Sequence, residues 1–361
     1  LPGEAGVSQT PTRLLIAASG TGGHIFPALA VAKQLQNYRI EWLGVPNRLE
    51  KTLVPHHYSL HTINIEGFQQ GLGINTLRIL QRFAGSIVQV RRLIREQKID
   101  VIFTTGGYIA APAVLAARLQ GVPVVLHESN AIPGKVTRWL APWCTTVALG
   151  FSSTSRFFPR SSTVWVSTPV RAEFRTSQTL DLPIPASAPL IVVIGGSQGA
   201  VAVNQLVRQC APAWFEAGAV VVHLTGNRDS DAESLQHPQY FAMPFYDNMA
   251  GLLQRADLAI SRAGSGTLTE LAVTQTPAIL IPLPHAAENH QAMNAAAFGE
   301  AGAAWVYSQA SLTPQLLEGA VGELVNSPQE RQRMAEKAAK LAVTDSAERL
   351  AALVRQVADE P

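Results

Sequence analysis

The chain opens in the same way twice. An apolar run ends in a glycine loop that leads into a helical stretch at LLIAASGTGGHIFPALAVA (14–32), and again at PLIVVIGGSQGA (189–200), about 176 residues later. A strand that ends on glycines and turns directly into a helix is the start of a βαβ unit. It sets up a parallel sheet and aims a helix N-terminus at whatever binds beyond the strand. Two such openings at this spacing point to two doubly wound halves of similar size.

The intervening runs obey the same logic. RIEWLG (39–44), IDVIFTT (99–105), VPVVLHE (122–128) and TTVALG (145–150) follow the first opening. AVVVHLTG (219–226), ADLAISRAG (256–264) and PAILIPL (277–283) follow the second. Apolar runs separated by helical stretches are the pattern of parallel strands buried on both faces. SQTLDLPIPASAP (177–189), with Pro183, Pro185 and Pro189, reads as a linker. The expected fold class is therefore α/β, with two Rossmann-like doubly wound domains at 13–176 and 190–361. Residues 1–12 are expected to be a flexible tail, and the cleft should lie beyond the C-terminal ends of the strands. Residues 324–342, LVNSPQERQRMAEKAAKLA, read as one amphipathic, solvated helix, and the last helix is a candidate to pack back on the N-terminal domain.

At 361 residues the chain can bury a core without disulfides or metal. With 47% hydrophobic and only 15% charged residues, it is not a disordered chain. A net charge of +2 gives no footprint of a nucleic-acid binder. That average hides two opposite halves: residues 1–170 hold 16 basic and 7 acidic side chains, and residues 171–361 hold 12 and 19. Such asymmetry suggests an anionic partner for the first half. Cys144 and Cys210 show no zinc or redox spacing and read as reduced, buried thiols. No apolar run reaches the ~18–20 residues of a membrane span. LPGEAGVSQTPT at the start lacks the basic and apolar regions of a secretory signal. Any membrane contact is therefore expected to be peripheral.

The first loop, Ser19 to His24, is not a dinucleotide fingerprint. Ile25 stands where the third glycine would be, and the second strand ends Trp42-Leu43-Gly44 with no acidic residue. No GK[ST] follows, so it is not a P-loop either. The choice lies between an anion-binding loop and a tight structural turn, with His24 at the loop–helix junction near the cleft. The second loop, Gly195 to Ala200, offers the Ser197 hydroxyl. SRAGSGTLTELA (261–272) places Gly264, Ser265, Gly266 and Thr267 at another helix start, suited to a diphosphate. Glu270, one turn in, either accepts hydrogen bonds from ribose hydroxyls or answers the helix dipole. HESNAIPG (127–134) should project His127, Glu128 and Asn130 into the cleft. PLPHAAENHQAMNA (282–295) crowds His285, Glu288, Asn289, His290 and Gln291 after a strand, at a spacing that is not a zinc helix motif. Residues 71–98 carry Leu77, Leu80, Phe83, Ile87, Val90 and Ile94 at helical spacing among Arg78, Arg82, Arg91, Arg92, Arg95 and Lys98. This is either an ordinary core helix or a contact with anionic lipid.

Taken in order, SGTGGHIFPALAVA, GGYIAAP, HESNAIPG, GGSQGA, ADLAISRAG and PLPHAAENHQAMNA resemble the MurG family of peptidoglycan glycosyltransferases over nearly the whole chain. The resemblance implies the two-domain GT-B architecture. It also implies inverting, metal-independent transfer of N-acetylglucosamine from UDP-N-acetylglucosamine (UDP-GlcNAc), with no cofactor. The acceptor implied is the C4 hydroxyl of N-acetylmuramic acid on undecaprenyl-diphosphate-linked muropeptide, converting lipid I to lipid II. The location implied is peripheral, on the anionic cytoplasmic face of the bacterial plasma membrane. By the same similarity, donor contacts fall on Thr21, Gly22, Gly23, Asn130, Arg171, Ser197, Ser265, Gly266, Thr267, Glu270 and Gln291. Uracil meets the backbone near Tyr246, and the ribose meets Glu270. His24 is the implied catalytic residue, with Glu128 as second choice for the base. Leu77, Arg78, Leu80, Arg82 and Phe83 are the candidate membrane contacts.

Two departures stand out. Ser19-Gly20 occupies a place where the family often has two glycines, and Ser167-Thr168 precedes Pro169-Val170-Arg171 where Gly-Asn is frequent. Other readings are another GT-B UDP-sugar transferase for a lipid or small aglycone, a UDP-GlcNAc 2-epimerase, an NAD-dependent oxidoreductase, and an inactive nucleotide-sugar-binding scaffold.

Overall fold

The computed structural model describes residues 11–46, 48–65, 74–196 and 199–360; the side chains of 74–77 and 287 lie outside the description. The first half contains strands β1 (Arg13–Ala17), β2 (Arg39–Gly44), β3 (Ser59–Thr62), β4 (Val101–Thr104), β5 (Val124–Glu128), β6 (Thr146–Leu149) and β7 (Thr163–Trp165). They form one seven-stranded sheet in the order β3-β2-β1-β4-β5-β6-β7, with every pair parallel. Its helices are α1 (Gly22–Gln34), α2 (Glu50–Leu53), α3 (Ile74–Glu96), α4 (Ala110–Arg118) and α5 (Lys135–Leu140).

The second half repeats the plan with β8 (Leu190–Ile194), β9 (Val220–Leu224), β10 (Tyr240–Met243), β11 (Leu258–Ser261), β12 (Ala278–Leu280) and β13 (Ala304–Val306), in the order β10-β9-β8-β11-β12-β13. These strands too are all parallel. Helices α6 (Val201–Glu216), α7 (Met249–Arg255), α8 (Ser265–Thr274), α9 (His290–Glu300), α10 (Pro314–Asn326), α11 (Pro328–Leu341) and α12 (Ser346–Asp359) complete it.

Each sheet is covered on both faces, and the period-two alternation of the central strands divides the core. Leu14 and Ile16 of β1 pack with Val31 of α1, whereas Leu15 and Ala17 pack on the other face with Val90 of α3 and Val114 of α4. In β8, Leu190 and Val192 face one cluster, and Ile191 and Val193 the other.

Three local features shape the join between the halves. Residues 177–189 carry no helix or strand, yet they are strapped to the second half. Leu180, Leu182 and Ile184 pack on its core, and Arg255 donates to the carbonyls of Pro185, Ala186 and Ala188. The single helix expected over 324–342 is instead two. Pro328 occupies the first turn of α11, and the Ser327 side chain caps that helix by accepting from the Glu330 N–H at 3.4 Å. Helix α12 leaves the second half and buries Leu350, Val354 and Val357 in the first-half core against α1. Arg355 donates to the Gln34 carbonyl at 2.6 Å, and Ser346 Oγ to that of Thr168 at 3.1 Å.

Candidate functional site

Parallel strands deliver their loops to one edge, and here the two edges face each other. On the first side, the loop after β1 turns into α1 at Thr21, whose carbonyl accepts from the N–H groups of His24 (3.0 Å) and Ile25 (3.2 Å). Ser19, where the family often has glycine, is buried and donates from Oγ to Glu50 Oε1 at 2.5 Å. The same Glu50 oxygen accepts from the Val45 N–H at 2.7 Å, so a fully buried carboxylate braces the loop from beneath. Thr21 and Gly23 are exposed and Gly22 is half-buried.

His24 is partly buried, with Nδ1 2.8 Å from the Thr105 carbonyl oxygen. A carbonyl only accepts, so Nδ1 carries a hydrogen, and Nε2 is the nitrogen left to take up a proton. The loop Gly106-Gly107 after β4 runs past that nitrogen with φ of +85° and +74°.

The loop after β5 contradicts one expectation. His127 does not project into the cleft: it is 1% exposed and hydrogen-bonded through Nε2 to the Ser167 carbonyl at 3.0 Å. Burial, opposed by the Ser167 hydrogen bond and aided by His24 nearby, pushes its pKa down to about 4, so the ring is neutral and structural. Alternation along a strand turns neighbouring side chains to opposite faces, which is why His127 and Glu128 part ways. Glu128 is buried as well. It accepts from Asn130 N and Nδ2 at 3.0 Å each and from Gly134 N at 3.3 Å, and so organises its own loop.

On the second side, Gly195 and Gly196 follow β8; Ser197 lies outside the described residues. Gly199, at φ +77°, presses so close to the Thr225 carbonyl that a Cβ would sit 2.4 Å from the oxygen, and only glycine fits there. Below, Asn204 donates to the Thr225 carbonyl (2.8 Å) and to Asp229 (2.7 Å), and Arg208 clasps Asp229 through both terminal nitrogens. Helix α8 begins at Ser265 after Gly264, with Ser265 buried and Gly266 and Thr267 partly open.

Glu270, one turn into α8, is half-buried. Burial pushes its pKa up to about 7, opposed by the positive charge of Arg171. Arg171 holds its guanidinium carbon 5.1 Å from the ring centres of both Phe26 and Phe174, so stacking sets its orientation from two sides. Gln291 on α9 accepts from the N–H groups of Ala263 (3.2 Å) and Leu283 (2.9 Å). Tyr246 donates its hydroxyl to Asp181 of the 177–189 strap, and its pKa is pushed up to about 12 by burial and that carboxylate.

Arg262 was not singled out from the sequence, although it sits inside the SRAG segment. It is 8% exposed and donates to the carbonyls of Ile281 and Pro282 and to Gln309 Oε1. Among the described residues no carboxylate pairs with it, and its Nε has no partner. A buried cation with only neutral acceptors, two residues before the α8 N-cap, is a ready counter-charge for an anion bound at that helix. Among the described residues no three His, Cys, Asp or Glu side chains gather as a metal set.

The candidate membrane segment is divided along its length. In α3, Arg78 and Arg82 are exposed and Leu80 is 49% exposed, whereas Phe83 packs partly on the core and Val90 and Ile94 are buried. The Leu77 side chain lies outside the described residues. Among the described residues no helix is long and apolar enough to cross a membrane.

Two parallel α/β domains that face each other across one cleft, with glycine loops and a helix N-terminus on its walls, define a GT-B glycosyltransferase. Residues 14–149 match the glycosyltransferase family 28 N-terminal domain, and residues 190–350 match the glycosyltransferase family 28 C-terminal domain. The chain is 68% identical over 349 residues to the UDP-N-acetylglucosamine--N-acetylmuramyl-(pentapeptide) pyrophosphoryl-undecaprenol N-acetylglucosamine transferase of Gloeothece citriformis, covering 97% of each chain. Among solved structures it superposes on Acinetobacter baumannii MurG with a TM-score of 0.77 and 30% identity, covering 96% of this chain and 100% of that one. A putative UDP-N-acetylglucosamine 2-epimerase from Listeria monocytogenes matches at TM-score 0.70 but 12% identity, over 96% of each chain, which shows a shared fold alone. The chain belongs to the MurG family of glycosyltransferases, within glycosyltransferase family 28.

Proposed function

We propose that this protein transfers N-acetylglucosamine from UDP-GlcNAc to the C4 hydroxyl of N-acetylmuramic acid in undecaprenyl-diphosphate-linked muropeptide, converting lipid I to lipid II. The observation that carries this is 68% identity, over 97% of each chain, with a transferase of that name, on a fold of two parallel sheets.

The residues divide the work. The α8 start, Arg171 and the buried Arg262 offset the charge that develops on the diphosphate as the sugar–phosphate bond breaks. The Glu270 carboxylate accepts from the ribose hydroxyls, and the backbone near Tyr246 meets the uracil. Thr21, Gly22, Gly23, Asn130 and Gln291 surround the sugar and diphosphate. His24 Nε2 takes the proton of the acceptor hydroxyl while its oxygen attacks the anomeric carbon and UDP departs from the opposite face. One in-line displacement inverts the anomeric configuration, so an α-linked donor gives a β-linked product. Glu128 serves as an organiser of the 127–134 loop, since its oxygens already accept three hydrogen bonds. The protein works peripherally at the cytoplasmic face of the plasma membrane, with the exposed start of α3 toward anionic lipid.

Radiolabelled UDP-GlcNAc with a short-chain lipid I analogue, with and without EDTA, tests this reading. Labelled lipid product that survives EDTA is expected. Change of UDP-GlcNAc in the absence of any lipid, with no labelled lipid formed in its presence, would replace transfer by epimerisation.

A further inference from the structure

One fully buried side chain ties the two halves together across the cleft. Asn294, in α9 of the second half, accepts at Oδ1 from the Ala131 N–H at 2.8 Å. Its Nδ2 donates to Asn130 Oδ1 and to the Ala263 carbonyl, each at 3.1 Å. Ala131 and Asn130 belong to the loop after β5, and Ala263 to the loop that opens α8. Both N–H bonds of the amide are used, one toward each half.

The chain of hydrogen bonds continues. Asn130 Nδ2 donates to Glu128 Oε1 at 3.0 Å, so the donors run Asn294 to Asn130 to Glu128 and end on a buried carboxylate. The other end is equally well held. Ala263 gives its N–H to Gln291 and its carbonyl to Asn294, two side chains one turn apart on α9. A buried amide is costly to leave unpaired, so these bonds form together, when the 127–134 loop and the α8 loop both stand in register. The outer ion pairs of Glu288 with Lys135 (3.3 Å) and Arg138 (3.2 Å) span the same gap at the surface, where solvent weakens them.

We infer that Asn294 is a positioning residue that couples occupancy of the α8 loop in the second half to the placement of Asn130 and Glu128 in the first. The identity of the ligand that exploits this coupling rests on the glycosyl-transfer reading; the coupling itself rests on the hydrogen bonds. Nucleotide bound at α8 fixes Ala263, Ala263 fixes Asn294, and Asn294 presents Asn130 to the cleft.

Amide hydrogen exchange of the full chain tests it, with UDP alone as the probe. In the free protein, Asn294→Ala is expected to speed exchange in 127–134 by about tenfold, with the central strands of both sheets unchanged. UDP is expected to slow exchange in 127–134 in the wild type but not in the variant, with UDP affinity in the variant within about threefold of wild type. Asn294→Asp, which keeps the acceptor for Ala131 but loses both donations, serves should the alanine variant not fold, and it too should uncouple UDP from the loop. Wild-type exchange at 127–134 in the variants, equal protection by UDP in variant and wild type, or uniformly faster exchange throughout would overturn the inference. Wild-type protein that fails to bind UDP would count against the glycosyl-transfer reading, and the free-protein comparison would still decide the coupling.

Discussion

His24 Nδ1, in the first turn of α1, lies 2.8 Å from the carbonyl oxygen of Thr105, just past β4, the strand that pairs with β1. That bond fixes which nitrogen of a neutral imidazole is the base, because the carbonyl can only accept. It also explains why a histidine at a loop–helix junction is held rather than left to rotate.

His24→Ala should lower kcat by about 10²–10⁴-fold while leaving UDP affinity unchanged, the signature of a lost proton acceptor. Steady-state turnover paired with calorimetric titration of UDP checks both halves of the statement. Near-normal turnover would remove His24 from the chemistry.

Glu270 titrates at about 7 because burial favours its neutral form, while Arg171 pulls the other way. Ribose hydroxyls donate to the ionised carboxylate, so UDP should bind about tenfold more tightly at pH 8 than at pH 6. Glu270→Gln should flatten that profile, and Arg171→Ala should move its midpoint upward. The sign for stability is the reverse. A folded-state pKa raised above its ordinary 4.5 contributes stability that is complete below about pH 4.5 and lost as the pH rises through about 7. A pH-independent affinity in the wild type would separate Glu270 from the ribose.

Ser167 occupies the left-handed region at φ +64°, held there while its carbonyl accepts from His127. Relief of that strain outweighs the extra chain entropy of glycine, so Ser167→Gly should stabilise the fold by about 1 kcal/mol. Urea unfolding monitored by tryptophan fluorescence reads the change. A loss of stability would show that the Ser167 side chain contributes more than its backbone costs.

Arg78 and Arg82 stand exposed beside Leu80 at the start of α3. Basic groups near an anionic bilayer contribute about 1 kcal/mol each, so Arg78→Glu with Arg82→Glu should weaken sedimentation with anionic vesicles by at least about 100-fold. UDP affinity should not change. Unaltered sedimentation would leave α3 as a core helix only.

The sheets were legible to different depths. RIEWLG, LLIAA, VIFT, VVLHE and TVAL form the five interior strands of the first sheet, and the runs after Leu190 form the four interior strands of the second. The four strands not marked out in the sequence are β3, β7, β10 and β13, and each is a sheet edge. These edge strands are only three or four residues long, and Ser59–Thr62 and Thr163–Trp165 are at most partly buried, so their pattern is too short to read as a buried strand. Glycine loops and helix starts were visible in the same way, because backbone conformation restricts which residues can stand there.

What the sequence determined by itself was local and periodic: two strand–glycine–helix openings, nine buried strands, and the residue types gathered at their ends. Tertiary structure decided the rest, because hydrogen bonds between distant segments leave no periodic trace. It turned His127 inward and gave the Glu128 carboxylate to its own loop. It docked α12, for which the sequence offered the first half only as a candidate, against that core, and it placed Arg262 without a carboxylate partner among the described residues beside α8. It also brought Asn130 and Asn294, 164 residues apart in the chain, to within 3.1 Å of each other across the cleft.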